Sequence, residues 1–176
     1  MSTRKKSVLR TIRISEELDR LIQKDAKEKR TSVNAMVAGM LEKYAEWDRF
    51  TAKYGFVSCS QDLFRSLLAS SVEEELVKNA KHLGDRQPKE FLYLWFKKLD
   101  SDGLQRFLSL ISKYATSYQY DMEVEGRTLI FNAHHDYGEK WSKFLESFFG
   151  QAARGFGCVP QLEHTTKHVM LRVQIP

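Results

Sequence analysis

From Tyr118 the chain changes period. Tyr118, Tyr120, Met122 and Val124 alternate with Gln119, Asp121, Glu123 and Glu125, the spacing of a strand with one apolar and one polar face. Gly126 marks a turn, and Thr128 to His134, TLIFNAH, reads as the returning strand of a hairpin. A lone hairpin is marginal in water, so its apolar face needs a cover. Glu139 to Arg154 supplies one, with Trp141, Phe144, Leu145, Phe148, Phe149 and Ala152 at helical spacing. Cys158 to Glu163 and His168 to Ile175 form a second hairpin with Thr165, Thr166 and Lys167 at its tip. The order ββαββ predicts a helix over one face of a four-stranded antiparallel sheet.

Ahead of this region the apolar residues recur at helical spacing. Trp47, Phe50, Tyr54 and Phe56 continue a helix that ends near Gly55. Ser60 or Cys59 starts another, with Leu63, Phe64, Leu67 and Leu68 on one face, and Val72 to Leu83 a third that stops at Gly84. GDRQP reads as a loop, with Pro88 in the first turn of a helix from Lys89 to Leu99. Leu104, Phe107, Leu108 and Ile111 mark the last helix, ending near Ala115.

Charge divides the chain differently. The 176 residues carry 28 Lys and Arg against 23 Asp and Glu, a net charge of +5. The whole excess lies before Phe56, and the first fourteen residues hold Arg4, Lys5, Lys6, Arg10 and Arg13 with no acid. A basic arm is therefore implied, and a basic surface over the whole protein is excluded. Around it, Ile12 and Ile14 alternate with Thr11 and Arg13 as a strand does. Ser15 caps a helix from about Glu16 to Lys29, and Ser32 caps a second with Val33, Met36, Val37, Met40, Leu41 and Tyr44 on its apolar face.

The segment VLRTIRISEELDRLIQKDAKEKRTSVNAMVAGMLEKYAE resembles the Arc/MetJ/CopG ribbon-helix-helix DNA-binding family, in its TIRIS strand ending, SEEL helix start and SVNAMV second-helix opening. The resemblance implies a homodimer whose two-stranded ribbon enters the major groove of double-stranded DNA. Leu9, Thr11 and Arg13 would then face base edges, and Arg10 a phosphate at the ribbon end. Ser32, Val33 and Asn34 would offer helix N-terminal amides to the backbone, and Arg4, Lys5 and Lys6 would bind phosphates.

The expected fold is α+β: an N-terminal ribbon-helix-helix domain over 1–50, a linker over 51–60, then a helical segment and a ββαββ antiparallel-sheet domain over 61–176. The expected function is a sequence-specific transcriptional regulator, a repressor of ribbon-helix-helix type, assembling as a dimer or higher on DNA. Its C-terminal domain would serve sensing or assembly. The alternative is an antitoxin-like or adaptor protein that binds a protein through its C-terminal domain. No P-loop, GxGxxG, HExxH or CxxC motif is present, so no enzyme is expected.

No cofactor is expected either. His134, His135, Cys158, His164 and His168 are the residues that would bind a metal, but their spacing matches no standard site, and surface or capping histidines are the preferred reading. His135 and Asp136, ahead of a helix N-terminus, suit a turn and cap or a bound anion. The aromatic residues read as core, or as the walls of an apolar site if the helices fail to close. No apolar run approaches the ~20 residues of a membrane span, the basic N-terminus lacks a secretory apolar stretch, and two cysteines make no disulfide framework. A cytoplasmic location without membrane contact follows.

Overall fold

A computed structural model describes residues 8–97, 102–114 and 118–174. The chain divides into two compact units, Met1–Glu46 and Trp47–Pro176.

In the first unit, α1 (Glu16–Glu28) starts at Ser15, whose Oγ accepts a hydrogen bond from the Leu18 amide at 3.2 Å, with Glu16, Glu17 and Asp19 in the first turn. Arg30, at φ 52°, turns the chain into α2 (Val33–Lys43), capped by Ser32 Oγ on the Ala35 amide at 3.1 Å. The two helices touch one another. Among the described residues of this unit only Ala26 is buried, while Leu18, Leu21, Met40, Leu41 and Tyr44 are each at least 44% exposed.

The expected N-terminal strand does not form. Val8–Ile14 has no regular secondary structure, with Ile12 63% and Ile14 41% exposed. Every strand pairing among the described residues lies between Gln119 and Gln174. Among the described residues the first regular element is a helix, so the N-terminal ribbon-helix-helix architecture is corrected. The physical reason is that a strand exists through its hydrogen-bond ladder. Four residues of alternation do not create one without a paired neighbour.

In the second unit, a π-helical turn at Tyr44–Asp48 crosses the division and leads into α3 (Arg49–Tyr54), which stops at Gly55 in the left-handed conformation, φ 87°. Residues 51–60 hold the end of α3 together with Tyr54 and Phe56, which pack on Trp47 and Phe91. Then follow α4 (Gln61–Ser70), capped by Ser60, α5 (Glu73–Phe96) and α6 (Gly103–Tyr114). Within α4, Phe64 and Leu68 turn inward while Leu63 and Leu67 stay exposed. Its carbonyl end is closed from a distance: the Lys140 ammonium donates to the carbonyls of Ala69 and Ser71 at 2.9 and 2.7 Å.

GDRQP, expected as a loop, lies inside α5. Its Gly84 is the reason: a Cβ there would stand 2.4 Å from the Phe148 carbonyl oxygen of the neighbouring helix. Close helix packing at a residue without a side chain outweighs the local breaking tendency of glycine and proline.

The sheet has β1 (Gln119–Glu125), β2 (Thr128–His134), β3 (Gln161–Thr165) and β4 (His168–Gln174) in the order β1-β2-β4-β3, each neighbour antiparallel. Leu129, Phe131, Ala133, Val169, Leu171 and Val173 are fully buried on one face. Helix α7 (Glu139–Gly155) lies against β3 and β4, and α5 packs along α7. Among the described residues no helix is long and apolar enough to cross a membrane.

Candidate functional site

Chemistry in this unit collects where β2 runs out. His135 follows the last residue of β2, and its amide donates to the Lys167 carbonyl at 2.9 Å, which holds the loop to the β3–β4 turn. Gly138, at φ 82° and ψ −177°, then opens α7 in a conformation only glycine adopts without strain.

Between these points the His135 ring is buried and threaded into a hydrogen-bond chain. Its Nδ1 accepts from the Tyr137 amide at 3.3 Å, so the ring proton sits on Nε2 and points at Ser142 Oγ, 3.0 Å away. Ser142, fully buried on α7, donates its hydroxyl hydrogen bond to the Thr165 carbonyl at 2.5 Å. Burial pushes the imidazole down to about 4, outweighing the nearby Asp136 charge. The polarity of this chain is opposite to that of a nucleophile and its base, since the serine proton goes to a backbone oxygen and not to the ring. His135 and Ser142 form a structural clip.

Beside the clip opens a cleft of about 320 Å³ lined by Gln61, Arg65, Tyr118, Gln119, His134, His135, Asp136 and Tyr137. Arg65 reaches it from α4. Its guanidinium lies 4.8 Å from the centre of the Tyr137 ring and donates to the Asp136 carbonyl oxygen at 2.5 Å. The Asp136 carboxylate is 3.5 Å from Arg65 but 2.8 Å from Lys167, whose ammonium does most to hold it below the usual carboxylate range. The cleft therefore contains a cation whose acidic partner already has a closer one. His135 and Asp136 are legible here from the sequence, whereas Arg65 is not, because the phase of α4 marks only the residues that turn inward and Arg65 flanks that face.

The residues read as metal candidates are brought to separate places. His134 and His168 are cross-strand partners on the sheet face away from α7, with ring centres 4.7 Å apart, and bind Asp121 at 3.2 Å and Asn132 at 3.1 Å. His135 is in the clip. Cys158 is buried, and burial pushes its thiol up. Among the described residues no three His, Cys, Asp or Glu side chains stand together to hold a metal ion.

His164 sits on β3 beside α7, its Nε2 3.1 Å from Glu139 and its Nδ1 3.0 Å from Glu146. Two acceptors on opposite ring nitrogens require both N–H groups. Burial lowers its pKa, but the two carboxylates outweigh that and raise it above 6.5. The stability from this clamp is complete below pH 6.5 and is lost as pH rises through the folded value. Urea unfolding followed from about pH 6 to about pH 9 should show that loss, and His164→Gln should flatten it. An unchanged slope in the variant would assign the effect elsewhere.

Of the residues implied at a DNA interface, Arg4, Lys5 and Lys6 lie outside the described residues. Leu9, Arg10, Thr11 and Arg13 are exposed on the irregular segment before α1. Ser32 is the N-cap of α2, Val33 its first residue, and Asn34 is exposed.

No protein-family model matches the chain, and no curated protein matches it. Among solved structures, it is similar to an H-NOX protein from S. oneidensis in the Fe(II)NO ligation state, at 14% identity and a TM-score of 0.45, covering 82% of this chain and 95% of that one. A second similar structure, which concerns the molecular mechanism of H-NOX activation, has 12% identity and a TM-score of 0.42, with 74% and 85% covered. Likeness at this level carries no assignment of chemistry. With no N-terminal strand among the described residues, the resemblance to the Arc/MetJ/CopG family is corrected. The DNA-binding regulator, its repressor role, its antitoxin-like alternative and double-stranded DNA as partner are corrected with it.

Proposed function

We propose that the unit from Trp47 onward is a non-catalytic receptor for a small anionic molecule, bound in the cleft beside the His135 clip. The single observation that supports this is Arg65. An incoming carboxylate can take the guanidinium in a bidentate, charge-assisted contact while Asp136 stays neutralised by Lys167. The Tyr137 ring under the guanidinium offers an apolar surface for the rest of the molecule, and the cleft volume is in the range of small-ligand sites. The site needs no metal or cofactor. A cytoplasmic location suits it, since Cys59 is exposed and unpaired, a state kept in reducing compartments.

Isothermal titration with small mono- and dicarboxylates is the test. At least one should bind with saturable, one-site behaviour, and Arg65→Gln should weaken it by ~10-fold or more with the fold intact. If no carboxylate binds at millimolar concentration, or if Arg65→Gln binds as well as the original, the reading fails.

A further inference from the structure

A second, separate gap lies in the aromatic layer formed by α3, α5 and α6. Phe91 stacks on Trp95 at 3.9 Å and meets Phe107 of α6 edge-to-face at 5.4 Å. After α3, the left-handed Gly55 brings Phe56 back over this layer, 5.1 Å from Trp47 and 5.2 Å from Tyr54. The Tyr54 hydroxyl is tied to the Gln87 carbonyl at 3.2 Å, which fixes its ring as a wall. Among these lies a half-open cavity of about 250 Å³, with Phe56, Phe91, Phe107 and Ile111 around it and Gln87 and Tyr54 as its polar residues. Phe91 and Phe107 are each 1% exposed, so the floor is buried core.

The geometry points to this cavity as a binding site for a small neutral aromatic molecule, one ring carrying at most one polar substituent. No charged side chain lines it, so an ion would find no counter-charge against the buried floor. An apolar cavity of about 150 Å³ is already large enough to take up benzene. Rings already packed at tilted and edge-on angles present faces and edges to a further ring, a geometry that favours an aromatic guest over an alkyl chain. The Gln87 amide suits one hydroxyl or amine on that guest.

The probe is 4-fluorophenol, titrated with the full chain and followed by its fluorine resonance. The expected result is saturable binding at one site per chain, displaced by benzene but not by benzoate, and unchanged in Arg65→Gln, which separates this site from the anion cleft. Ile111→Phe, which fills the cavity, should weaken binding at least ~10-fold while keeping the circular dichroism of the original. If that variant fails to fold, the displacement pattern alone decides. Absence of saturation at millimolar probe, displacement by benzoate, or full binding by a folded Ile111→Phe protein overturns the assignment.

Discussion

Gly84→Ala should destabilise the unit from Trp47 onward by about 2–3 kcal/mol, near the upper end for overpacking. The added methyl would come 2.4 Å from the Phe148 carbonyl oxygen and 3.1 Å from Gln151 Cβ. The first obstacle is helix backbone, which cannot rotate away as a flexible side chain can, so α5 and α7 must separate along their length. Alanine is the better helix former by ~1 kcal/mol, and that gain is already set against the clash. Gly39 in α2 is the control, because nothing lies within 4 Å of its missing Cβ. Gly39→Ala should be neutral or stabilising by up to ~1 kcal/mol. Trp47, Trp95 and Trp141 all belong to the second unit, so urea unfolding by tryptophan fluorescence reads that unit alone. A Gly84→Ala protein with the original midpoint would mean that the two helices do not meet there.

Acid should destabilise the same unit as pH falls from 6.5 toward about 4. His135 is held neutral in the fold, with its pKa moved from 6.5 to about 4. In the unfolded chain the ring takes up a proton below pH 6.5, and in the folded chain it does not until about pH 4. The stability it contributes is therefore present above 6.5 and is lost as pH falls through this window. The full loss is on the order of 3 kcal/mol. His168, also lowered, first by burial and then by the neighbouring His134, adds in the same direction. Comparing urea midpoints at about pH 7 and about pH 4.5 measures the sum. His135→Gln should be weaker throughout but lose most of the slope. A variant as acid-sensitive as the original would remove His135 from the explanation.

Much of the second unit was legible because its signals are local. Ser60 and Gly55 bound their helices through cap chemistry that a single residue carries. The alternation on either side of Gly126 is a hairpin in register, Met122 opposite Phe131. The failures share a different cause. The loop expected at GDRQP vanished because the packing of α5 on α7, a long-range fact, decides what a glycine means there. The N-terminal alternation misled because pairing, not period, makes a strand, and none of the described residues pairs with it. The candidate cleft was half visible. His135 and Asp136 stand out beside a glycine and a helix start, whereas Arg65 enters from a helix about seventy residues earlier in the chain.

The strand order leaves β1 at an edge, one backbone side unpaired, with Tyr120 38% and Val124 46% exposed on its apolar face. Such an edge is a template for aggregation by strand addition. Asp121, Glu123 and Glu125 project in a row from the other face, and two copies of β1 laid antiparallel would set these acids against one another. Among the described residues no strand pairs with this edge, and the row of acids opposes strand addition by repulsion. Replacing Glu123 and Glu125 by glutamine would remove that repulsion and favour strand addition at this edge.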